Sequence, residues 1–300
     1  MLLNPTSGKG RASAAAPLAV ARLQDRGHEV VVVVGHDADD AARRLRAALQ
    51  AAPTAAVVAC GGDGTVHLCL QAVAGTDVPL GLLPTGTGND SATLLGVPHD
   101  PVAAADVVAD ALASGKARTV DAGHVTSADG VERYYLAVLS SGFDSMVNER
   151  ANRMTWPSGR ARYLRAILAE LRSFRAVPYT MVVDEGLPTE VRVDKRGMLV
   201  AVGNGTSYGG GMKVCPGALL DDGLLSLIFL DEVSTPTFLR VFPRVFAGTH
   251  VDIPEVHEHA ATTVRLDAPG QVAYADGERV GPLPVEVRVV PGAVRLLVPA

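Results

Sequence analysis

The stretch AAVVACGGDGT, residues 55–65, decides the fold class of this chain. Its first six residues are small and apolar, as in a buried strand, and the glycines that follow permit a tight turn before a helix. Similar units surround it, with strand-like segments at residues 2–3, 29–34 and 80–83 and helix-like segments at about 11–26 and 37–51. Alternation of this kind predicts a parallel sheet covered by helices. The first strand is short, which suggests further residues upstream of Met1.

The pattern changes after residue 120. An alanine-rich helical stretch runs from Pro98 to about Ser114, and Gly115-Lys116 ends it. Short β-branched runs then follow at residues 134–139, 179–183, 190–193, 198–202, 224–230, 262–266, 271–275, 285–290 and 294–298, with helical candidates at 160–174 and 236–246. We therefore expect an α/β domain over residues 1–120 and a mostly antiparallel β-sandwich domain over 121–300, whose last strand could pack back on the first domain.

Composition narrows the class of protein. Hydrophobic residues make up 48% of the 300, yet the longest apolar runs are far shorter than the roughly 20 residues that cross a bilayer. The beginning of the chain lacks the basic and apolar regions of a signal peptide, so we expect a cytoplasmic protein, with peripheral association at the inner membrane face as a further option. A net charge of −5 argues against nucleic acid as a partner. Cys60, Cys69 and Cys215 have no metal-ligand or disulfide spacing.

Three glycine-bearing segments follow predicted strands of the first domain, at residues 4–10, 60–66 and 83–90. Because parallel strands end at one edge of a sheet, these segments can place backbone N–H groups and hydroxyls around one anion. Each alone could be an ordinary turn between strand and helix, but three together predict a polyphosphate cradle. The segments complete neither the P-loop nor the dinucleotide-binding fingerprint.

These motifs resemble the signatures of the diacylglycerol kinase and sphingosine kinase catalytic family. The resemblance continues in the second half of the chain, through Ser141-Gly142-Phe143-Asp144, Asn204, Tyr208 to Met212, Pro216-Gly217-Ala218, Asp221 to Leu225 and Asp276-Gly277-Glu278. NAD kinases, which are similar to this family in fold, share the GGDGT turn. The resemblance therefore implies an NAD kinase/diacylglycerol kinase-like fold, a nucleotide-binding catalytic first domain and a lipid-substrate second domain.

The family resemblance also implies roles for individual residues. A kinase of this type uses ATP and Mg²⁺, and Glu278 is the implied acceptor of the hydroxyl proton, with Asp276 and Asp63 as further catalytic residues. The implied nucleotide-binding residues are Asn4, Pro5, Thr6, Ser7, Gly8, Lys9, Gly61, Gly62, Asp63, Gly64, Thr65, Gly86, Thr87, Asn89 and Asp90. Asp63, Asp90 and Asp121 are implied to share a magnesium network. Read locally, Asp276-Gly277 is a turn between the strands at 271–275 and 285–290, and Glu278 could simply be solvated.

Two further sites follow from the resemblance. A second magnesium site is implied at Asp222 with the carbonyls of Leu219 and Leu224, although Asp221-Asp222-Gly223 could be only a turn. Residues 150–175 carry seven arginines and one acid, Glu170, which suits an anionic membrane surface or, equally, a helix with a solvated basic face. Within it, Arg165 falls where the family often carries a functional lysine and is our candidate for binding the lipid substrate.

Three functions remain open. The first is a kinase that phosphorylates diacylglycerol or a related lipid at the membrane surface, giving phosphatidic acid or its analogue. The second is a kinase of a soluble metabolite, similar to an NAD kinase. The third is a catalytically weak regulator that binds nucleotide or lipid, because Val66-His67-Leu68 departs from the Asn and Glu that the family usually carries after GGDGT. The lipid acceptor and the oligomeric state are left open, with a homodimer among the options.

Overall fold

A computed structural model describes residues 1–154, 156, 165–167, 169–170 and 174–299. The chain forms two compact units, one of Met1–Ala122 with Pro291–Ala300 and one of Gly123–Val290. Strand β4 (Arg118–Ser127) carries the chain from the first unit into the second, and strand β14 (Val285–Leu297) carries it back. Within the described ranges, none of the helices has the length and apolarity that crossing a bilayer would require.

The N-terminal unit is the predicted parallel sheet with covering helices. Its strands are β1 (Leu2–Leu3), β2 (Val57–Gly61), β3 (Leu80–Pro84) and the end of β14, neighbours in that order and all parallel. The helices are α1 (Arg11–Asp25), α2 (Ala38–Ala51), α3 (Asp63–Val73), α4 (Asp90–Leu94) and α5 (Pro101–Ser114). Every residue of β2 and β3 is buried, because α3 packs on β2 and α5 on β3. Buried parallel strands of this kind end at one edge, where ligands bind.

Local capping explains where two of these helices begin and where one of them ends. The Asp37 carboxylate accepts a hydrogen bond from the amide of Asp40 at 2.8 Å, and Asp100 does the same for Ala103 at 2.8 Å. Both are N-caps, which satisfy amides that have no partner inside the helix. Helix α5 ends at Gly115, whose φ of +65° is the left-handed conformation that glycine adopts most readily. The predicted end of this helix is confirmed.

The strand predicted at residues 29–34 is wrong. In this segment only Val33 forms a β-bridge, and its partner is Leu2. The Leu3 amide donates a hydrogen bond to the Val33 carbonyl, and the Val33 amide donates one to the Met1 carbonyl, each at 2.8 Å. Since β1 contains two residues, it offers this segment too few partners for a continuous ladder. Val31 and Val32 are exposed as a result.

The C-terminal unit is built from antiparallel strands. They are the rest of β4, β5 (Glu132–Tyr135), β6 (Val138–Gly142), β7 (Val177–Val183), β8 (Val191–Gly203), β9 (Leu225–Asp231), β10 (Val256–Ala261), β11 (Thr263–Asp267), β12 (Val272–Ala275), β13 (Glu278–Pro282) and the start of β14. The main order is β14-β11-β7-β8-β6-β12-β13, while β9 joins β8, β10 joins β9 and β5 joins β4. The predicted mostly antiparallel second half is confirmed. Its core includes Tyr135, Tyr179 and Phe229, all almost fully buried.

Several predicted strands have different bounds in this unit. The run at 134–139 is divided between β5 and β6. The reason is that the Asp276 carboxylate accepts hydrogen bonds from the amide nitrogens of Leu136, Ala137 and Val138, at 2.8, 2.9 and 3.2 Å. Conversely, the runs at 190–193 and 198–202 are one strand, β8, and those at 285–290 and 294–298 are one strand, β14. A side chain distant in sequence breaks the first run, whereas long continuous neighbours hold the others together.

The helices of this unit also differ from the prediction. The helix expected at 236–246 is two short helices, α7 (Thr235–Val241) and α8 (Arg244–Ala247), which Pro243 separates because it cannot donate a backbone hydrogen bond. Helix α6 (Phe143–Arg153) was not predicted. The helix predicted at 160–174 lies largely outside the described residues.

The turn at Asp184 stabilises the C-terminal unit through a buried carboxylate. One oxygen accepts from the Thr262 amide at 2.7 Å, the Thr262 hydroxyl at 2.8 Å and the Thr263 amide at 3.0 Å, and the other accepts from the Thr189 hydroxyl at 2.9 Å. Burial alone would raise the pKa of this carboxyl, but the hydrogen bonds outweigh burial and lower it. A lowered pKa in the folded state stabilises the protein above the unfolded pKa, about 3.9, and this contribution is lost as the pH falls through the folded pKa.

We therefore expect Asp184→Asn to lower the free energy of unfolding at pH 7 by about 2 kcal/mol, the usual contribution of hydrogen bonds to a charged group. The difference from wild type should shrink as the pH falls below about 4. Urea unfolding followed by circular dichroism at several pH values measures both effects. Asp267→Asn, at an exposed position in β11, is the matched control. If the difference in free energy of unfolding between wild type and Asp184→Asn stayed constant down to pH 3, the stabilisation would not come from the ionised Asp184 carboxylate.

Candidate active site

The three glycine-bearing turns of the N-terminal unit meet at one edge of its sheet. They follow β1, β2 and β3, which are adjacent and parallel. The amide of Asn4 donates to the Cys60 carbonyl at 3.0 Å, and the amide of Thr85 donates to the Gly61 carbonyl at 2.9 Å. The structure thus brings together the three segments that the sequence selected.

These turns approach each other too closely for side chains. A Cβ added to Gly86 would lie 2.5 Å from the Gly62 Cα, and one added to Gly62 would lie 3.1 Å from the Gly86 Cα. A Cβ on Gly8 would overlap the Thr85 carbonyl oxygen, and Gly8 has a φ of +58° that disfavours other residues as well. The glycines are therefore needed for backbone-to-backbone packing between the turns.

Two cationic side chains, Lys9 and Arg11, lie in the first turn and at the start of the helix that follows it. Gly8, Lys9 and Gly10 all have left-handed φ values of 58°, 61° and 90°, and helix α1 begins directly after them. The Lys9 side chain is exposed. Arg11, which the sequence analysis missed, donates from its guanidinium to the Gly86 carbonyl and so ties the first turn to the third. The position of Arg11 at the start of a helix, directly after Gly-Lys-Gly, is the sequence feature that could have indicated its role.

Asp63 connects the second turn to the third. It is the first residue of α3, and its Oδ1 accepts a hydrogen bond from the Ser91 amide in α4 at 2.9 Å. The other oxygen, Oδ2, would lie 3.0 Å from a Cβ placed on Gly88. Asn89, with φ of +59°, donates its side-chain amide to the Gly86 carbonyl at 3.2 Å. Asp63 therefore holds the two turns in register with one oxygen.

The same region has the features of a phosphate site. A pocket of about 180 Å³ is lined by Gly61, Gly62, Asp63, Pro84 and Asn89, among others. Within the described part of the chain, the buried side-chain oxygens Thr85 Oγ1 and Asn89 Oδ1 have no hydrogen-bond partner. The N-terminus of α3 adds backbone amides that have no acceptor within the helix. Hydrogen-bonding oxygens, glycine walls and a helix N-terminus fit a polyphosphate with its cation.

Two of the three predicted magnesium residues lie near each other, since a Cβ placed on Gly88 would be 3.0 Å from Asp63 Oδ2 and 3.9 Å from Asp90 Oδ2. Asp90 begins α4, while Asp121 is buried and accepts from the Gly292 amide at 2.8 Å. Among the residues described, no group of three or more Asp, Glu, His or Cys side chains could by itself hold a metal ion. The magnesium network of Asp63, Asp90 and Asp121 stays a prediction. Mg²⁺ commonly takes one or two carboxylates and completes its shell with phosphate oxygens and water. Asp63 meets that simpler requirement.

The segment predicted to hold a second magnesium ion forms a turn. The Asp222 carboxylate accepts from the amide of Leu224 at 3.0 Å, and Gly223 has a φ of +74°. Leu219 and Leu224 are exposed. A hydrogen bond two residues on is the usual geometry of an Asp-initiated turn, so a metal role for these three residues stays a prediction.

Replacing Gly86 with Ala tests the close approach of the turns. The added Cβ would collide with the backbone of Gly62, which cannot move without displacing α3. We expect ATP affinity to fall by roughly 10- to 100-fold, the equivalent of the 1–3 kcal/mol that overpacking costs. Calorimetric titration with ATP measures it. Gly217→Ala is the control, because its Cβ would meet only the flexible end of Glu258. Unchanged affinity in Gly86→Ala would exclude the turn from the nucleotide site.

Glu278 and Asp276 lie in the C-terminal unit, in a hairpin. Asp276 and Gly277 have φ of +50° and +83° and turn the chain from β12 into β13, where Glu278 is the exposed first residue opposite Ala275. The turn thus joins β12 to Glu278–Pro282, and the predicted pairing with the strand at 285–290 is wrong. Since the Asp276 carboxylate accepts hydrogen bonds from three consecutive backbone amides, the last of them in the first residue of β6, it fixes the position of this turn.

A large apolar pocket lies within the C-terminal unit. It encloses about 820 Å³ of space that is partly open to solvent, and its walls include Phe143 and Val147 of α6, Ile228 of β9, and Phe238 of α7 with Phe242 beside it. The sequence alone does not predict this pocket. The motif at residues 141–144 and Tyr208 were noted in the sequence, and both Phe143 and Tyr208 line the pocket.

The pocket has polar groups in its wall. Asp144 accepts from the Ser140 hydroxyl at 2.7 Å and also bonds to the Tyr208 hydroxyl. Burial raises the pKa of Asp144 and raises that of Tyr208 well above its ordinary value. His250 also lines the pocket, with Nε2 3.0 Å from the Val214 carbonyl, and burial lowers its pKa. The pocket therefore combines apolar walls with a few hydrogen-bonding groups, as small-molecule sites do.

Arg165, the predicted lipid-binding residue, is exposed. Its guanidinium carbon lies 5.5 Å from the centroid of the Trp156 ring, and Nη1 is 3.4 Å from the Trp156 carbonyl. This geometry is a cation–π contact. Half of the arginine-rich segment, including Arg160, Arg162 and Arg172, lies outside the described residues.

Comparison with known proteins gives consistent matches over the chain. The family model for the diacylglycerol kinase catalytic domain matches residues 1–125, and that for the YegS C-terminal NAD kinase beta sandwich-like domain matches residues 137–298. A Mycobacterium tuberculosis protein named diacylglycerol kinase is 47% identical over 299 residues, 99% of this chain and 94% of that protein. A Cronobacter sakazakii protein named probable lipid kinase YegS-like is 30% identical over 92% of this chain and 89% of its own. A crystal structure of a Bacillus anthracis protein described as a putative diacylglycerol kinase matches the fold with a TM-score of 0.78, at 19% identity over 99% of this chain and 96% of that one.

Proposed function

Since the chain belongs to the diacylglycerol kinase/YegS family of lipid kinases, we propose that it transfers the γ-phosphoryl group of ATP to the free hydroxyl of diacylglycerol or a closely related lipid. The product is then phosphatidic acid or its analogue, and ADP leaves. The lipid oxygen attacks the γ-phosphorus, the bond from that phosphorus to the β–γ bridging oxygen breaks, and the hydroxyl proton passes to a base.

The apolar pocket of the C-terminal unit is the observation that carries this proposal. Its walls, formed by Phe143, Ile228 and Phe238 among others, are almost wholly apolar and suit an acyl chain. A soluble polar metabolite would gain little from such walls, so the pocket favours a lipid acceptor over an NAD-like one. Asp144 and Tyr208, which bond to each other, add polar groups to the wall of this pocket.

On the nucleotide side, the residues of the three turns bind the phosphates. The amides at the start of α3 and the glycine-lined backbone hold the chain of phosphates, and Lys9 supplies a compact positive charge. Asp63 would hold Mg²⁺ through its Oδ2 oxygen. When bound, the ion would neutralise negative charge that develops on the phosphates during transfer. Asp222 is proposed to hold a second, structural magnesium ion.

On the acceptor side, Glu278 takes the hydroxyl proton. Its exposed carboxylate at the start of β13 is accessible to a substrate, and the adjacent turn is fixed by Asp276. Asp276 acts as a positioning residue, since its two oxygens are already engaged by backbone amides. Arg165 is proposed to bind the lipid substrate.

The test is transfer of radiolabel from ATP to a panel of acceptors in the presence of Mg²⁺. The panel contains diacylglycerol, sphingosine, phosphatidylglycerol and NAD, and a Glu278→Gln preparation controls for contaminating kinases. We expect label in diacylglycerol. Label in NAD without lipid would instead establish the soluble-metabolite kinase. ATP binding with no labelled acceptor, despite a folded protein, would establish the regulator.

A further inference from the structure

The segment of residues 233–249, which contains α7 and α8, has two distinct faces. Phe238, Val241, Phe242 and Val245 form part of the wall of the apolar pocket. The opposite face carries Leu239 and Phe246, which are 48% and 45% exposed. One short segment thus covers the pocket with one set of side chains and presents large apolar groups to solvent with another.

The outer face is also basic. Residues 233–249 contain Arg240 and Arg244, both exposed, and no Asp or Glu, in a chain whose net charge is −5. Lys213, also exposed, lies beside the segment, with its amide donating to the Val245 carbonyl at 3.0 Å.

The acids that precede this segment are engaged elsewhere. Asp231 lies 2.7 Å from the Lys195 ammonium, and Glu232 lies 3.1 Å from the Arg196 guanidinium. Neither is a residue of the segment, and each already has a cationic partner on β8. The positive charge of residues 233–249 is therefore local and is not neutralised by acids of its own.

We propose that the outer face of residues 233–249 docks on an anionic lipid surface. This inference rests on the proposed function, because it places the wall of the acyl pocket against the membrane that holds the substrate. Apolar side chains flanked by arginines match the interface of a bilayer, where the rings and chains insert and the cations meet phosphate headgroups. Two exposed apolar side chains are few for a stable protein interface, which usually buries about 800 Å² per partner.

Vesicle sedimentation tests the proposal. The probes are vesicles of phosphatidylcholine alone and of phosphatidylcholine mixed equally with phosphatidylglycerol. We expect wild type to bind the anionic vesicles, and to bind less as salt is raised. The double variant Arg240→Glu with Arg244→Glu should lose about tenfold or more in affinity for them, and Leu239→Ser with Phe246→Ser should also bind weakly. Leu18→Ser with Arg46→Glu, at exposed positions of α1 and α2, is the matched control and should bind as wild type does.

Activity measurements separate docking from catalysis. With a water-soluble short-chain diacylglycerol, both test variants should match wild type, and with diacylglycerol in anionic vesicles both should be slower. Wild-type affinity for vesicles in both variants, or no vesicle binding by wild type, would overturn the proposal. A wild-type dimer in analytical ultracentrifugation that these substitutions dissociate would identify the face as a contact between copies and overturn it too. Absence of kinase activity on every diacylglycerol would refute the proposed function instead, while vesicle binding would still decide the docking surface.

Discussion

The Glu278→Gln variant is expected to lose phosphoryl transfer to lipid by about 10²- to 10⁴-fold, the usual contribution of a positioned general base. Glutamine keeps the size of the side chain and its place in β13, opposite Ala275. It cannot accept the proton that the lipid hydroxyl must lose. The turn that orients it is held by Asp276 and is unaffected. The variant should therefore fold normally and bind ATP as wild type does.

Glu286→Gln is the matched control for this experiment. Glu286 is also an exposed strand glutamate of the C-terminal unit, paired with Arg265 across β14 and β11. We expect it to keep wild-type turnover. The measurements are steady-state kinetics with diacylglycerol, thermal unfolding and ATP titration on the same preparations. Wild-type kcat in Glu278→Gln would show that another group takes the proton.

The parts of the fold that local sequence determines were predicted correctly. Strand β2, the GGDGT turn and the end of α5 at Gly115 depend on short-range signals, namely an apolar run, consecutive glycines and a left-handed C-cap. The three phosphate-binding turns could be grouped because parallel neighbouring strands share one edge. Nothing beyond strand order was needed for that step.

Features that depend on distant residues could not be predicted in this way. The run at 134–139 is continuous in sequence. The carboxylate of Asp276, about 140 residues later, accepts hydrogen bonds from amides in the middle of this run and so divides it into two strands. Arg11 reaches the Gly86 carbonyl across 75 residues. The apolar pocket is formed by α6, β9 and α7, whose side chains look like ordinary core residues when read one segment at a time. The first two require knowledge of which backbone groups lie within reach of a side chain, and the third requires knowledge of which segments pack together.

Asp63→Asn is expected to reduce phosphoryl transfer by about 10²- to 10³-fold, comparable to the loss of one preorganised electrostatic group in other active sites. The structure separates two tasks of this side chain. Its Oδ1 accepts from the Ser91 amide at 2.9 Å and joins α3 to α4, whereas its charge is proposed to hold Mg²⁺. Asparagine retains an acceptor oxygen for Ser91 but carries no charge. The substitution should therefore leave stability nearly unchanged.

Comparison of Asp63→Asn with Asp63→Ala distinguishes these two tasks. Alanine removes both the charge and the acceptor for Ser91. Asp63→Ala should therefore have a free energy of unfolding about 1–3 kcal/mol lower than that of Asp63→Asn, which is the cost of an unsatisfied amide. Asp100→Asn is the control, because Asp100 is an N-cap aspartate of the same unit and lies outside the turns. Titration of activity with Mg²⁺ gives the decisive readout, since loss of a carboxylate ligand raises the Mg²⁺ concentration at half-maximal rate. If Asp63→Asn kept the wild-type Mg²⁺ dependence and turnover, Asp63 would be a structural link between α3 and α4 and the ion would be held by other oxygens.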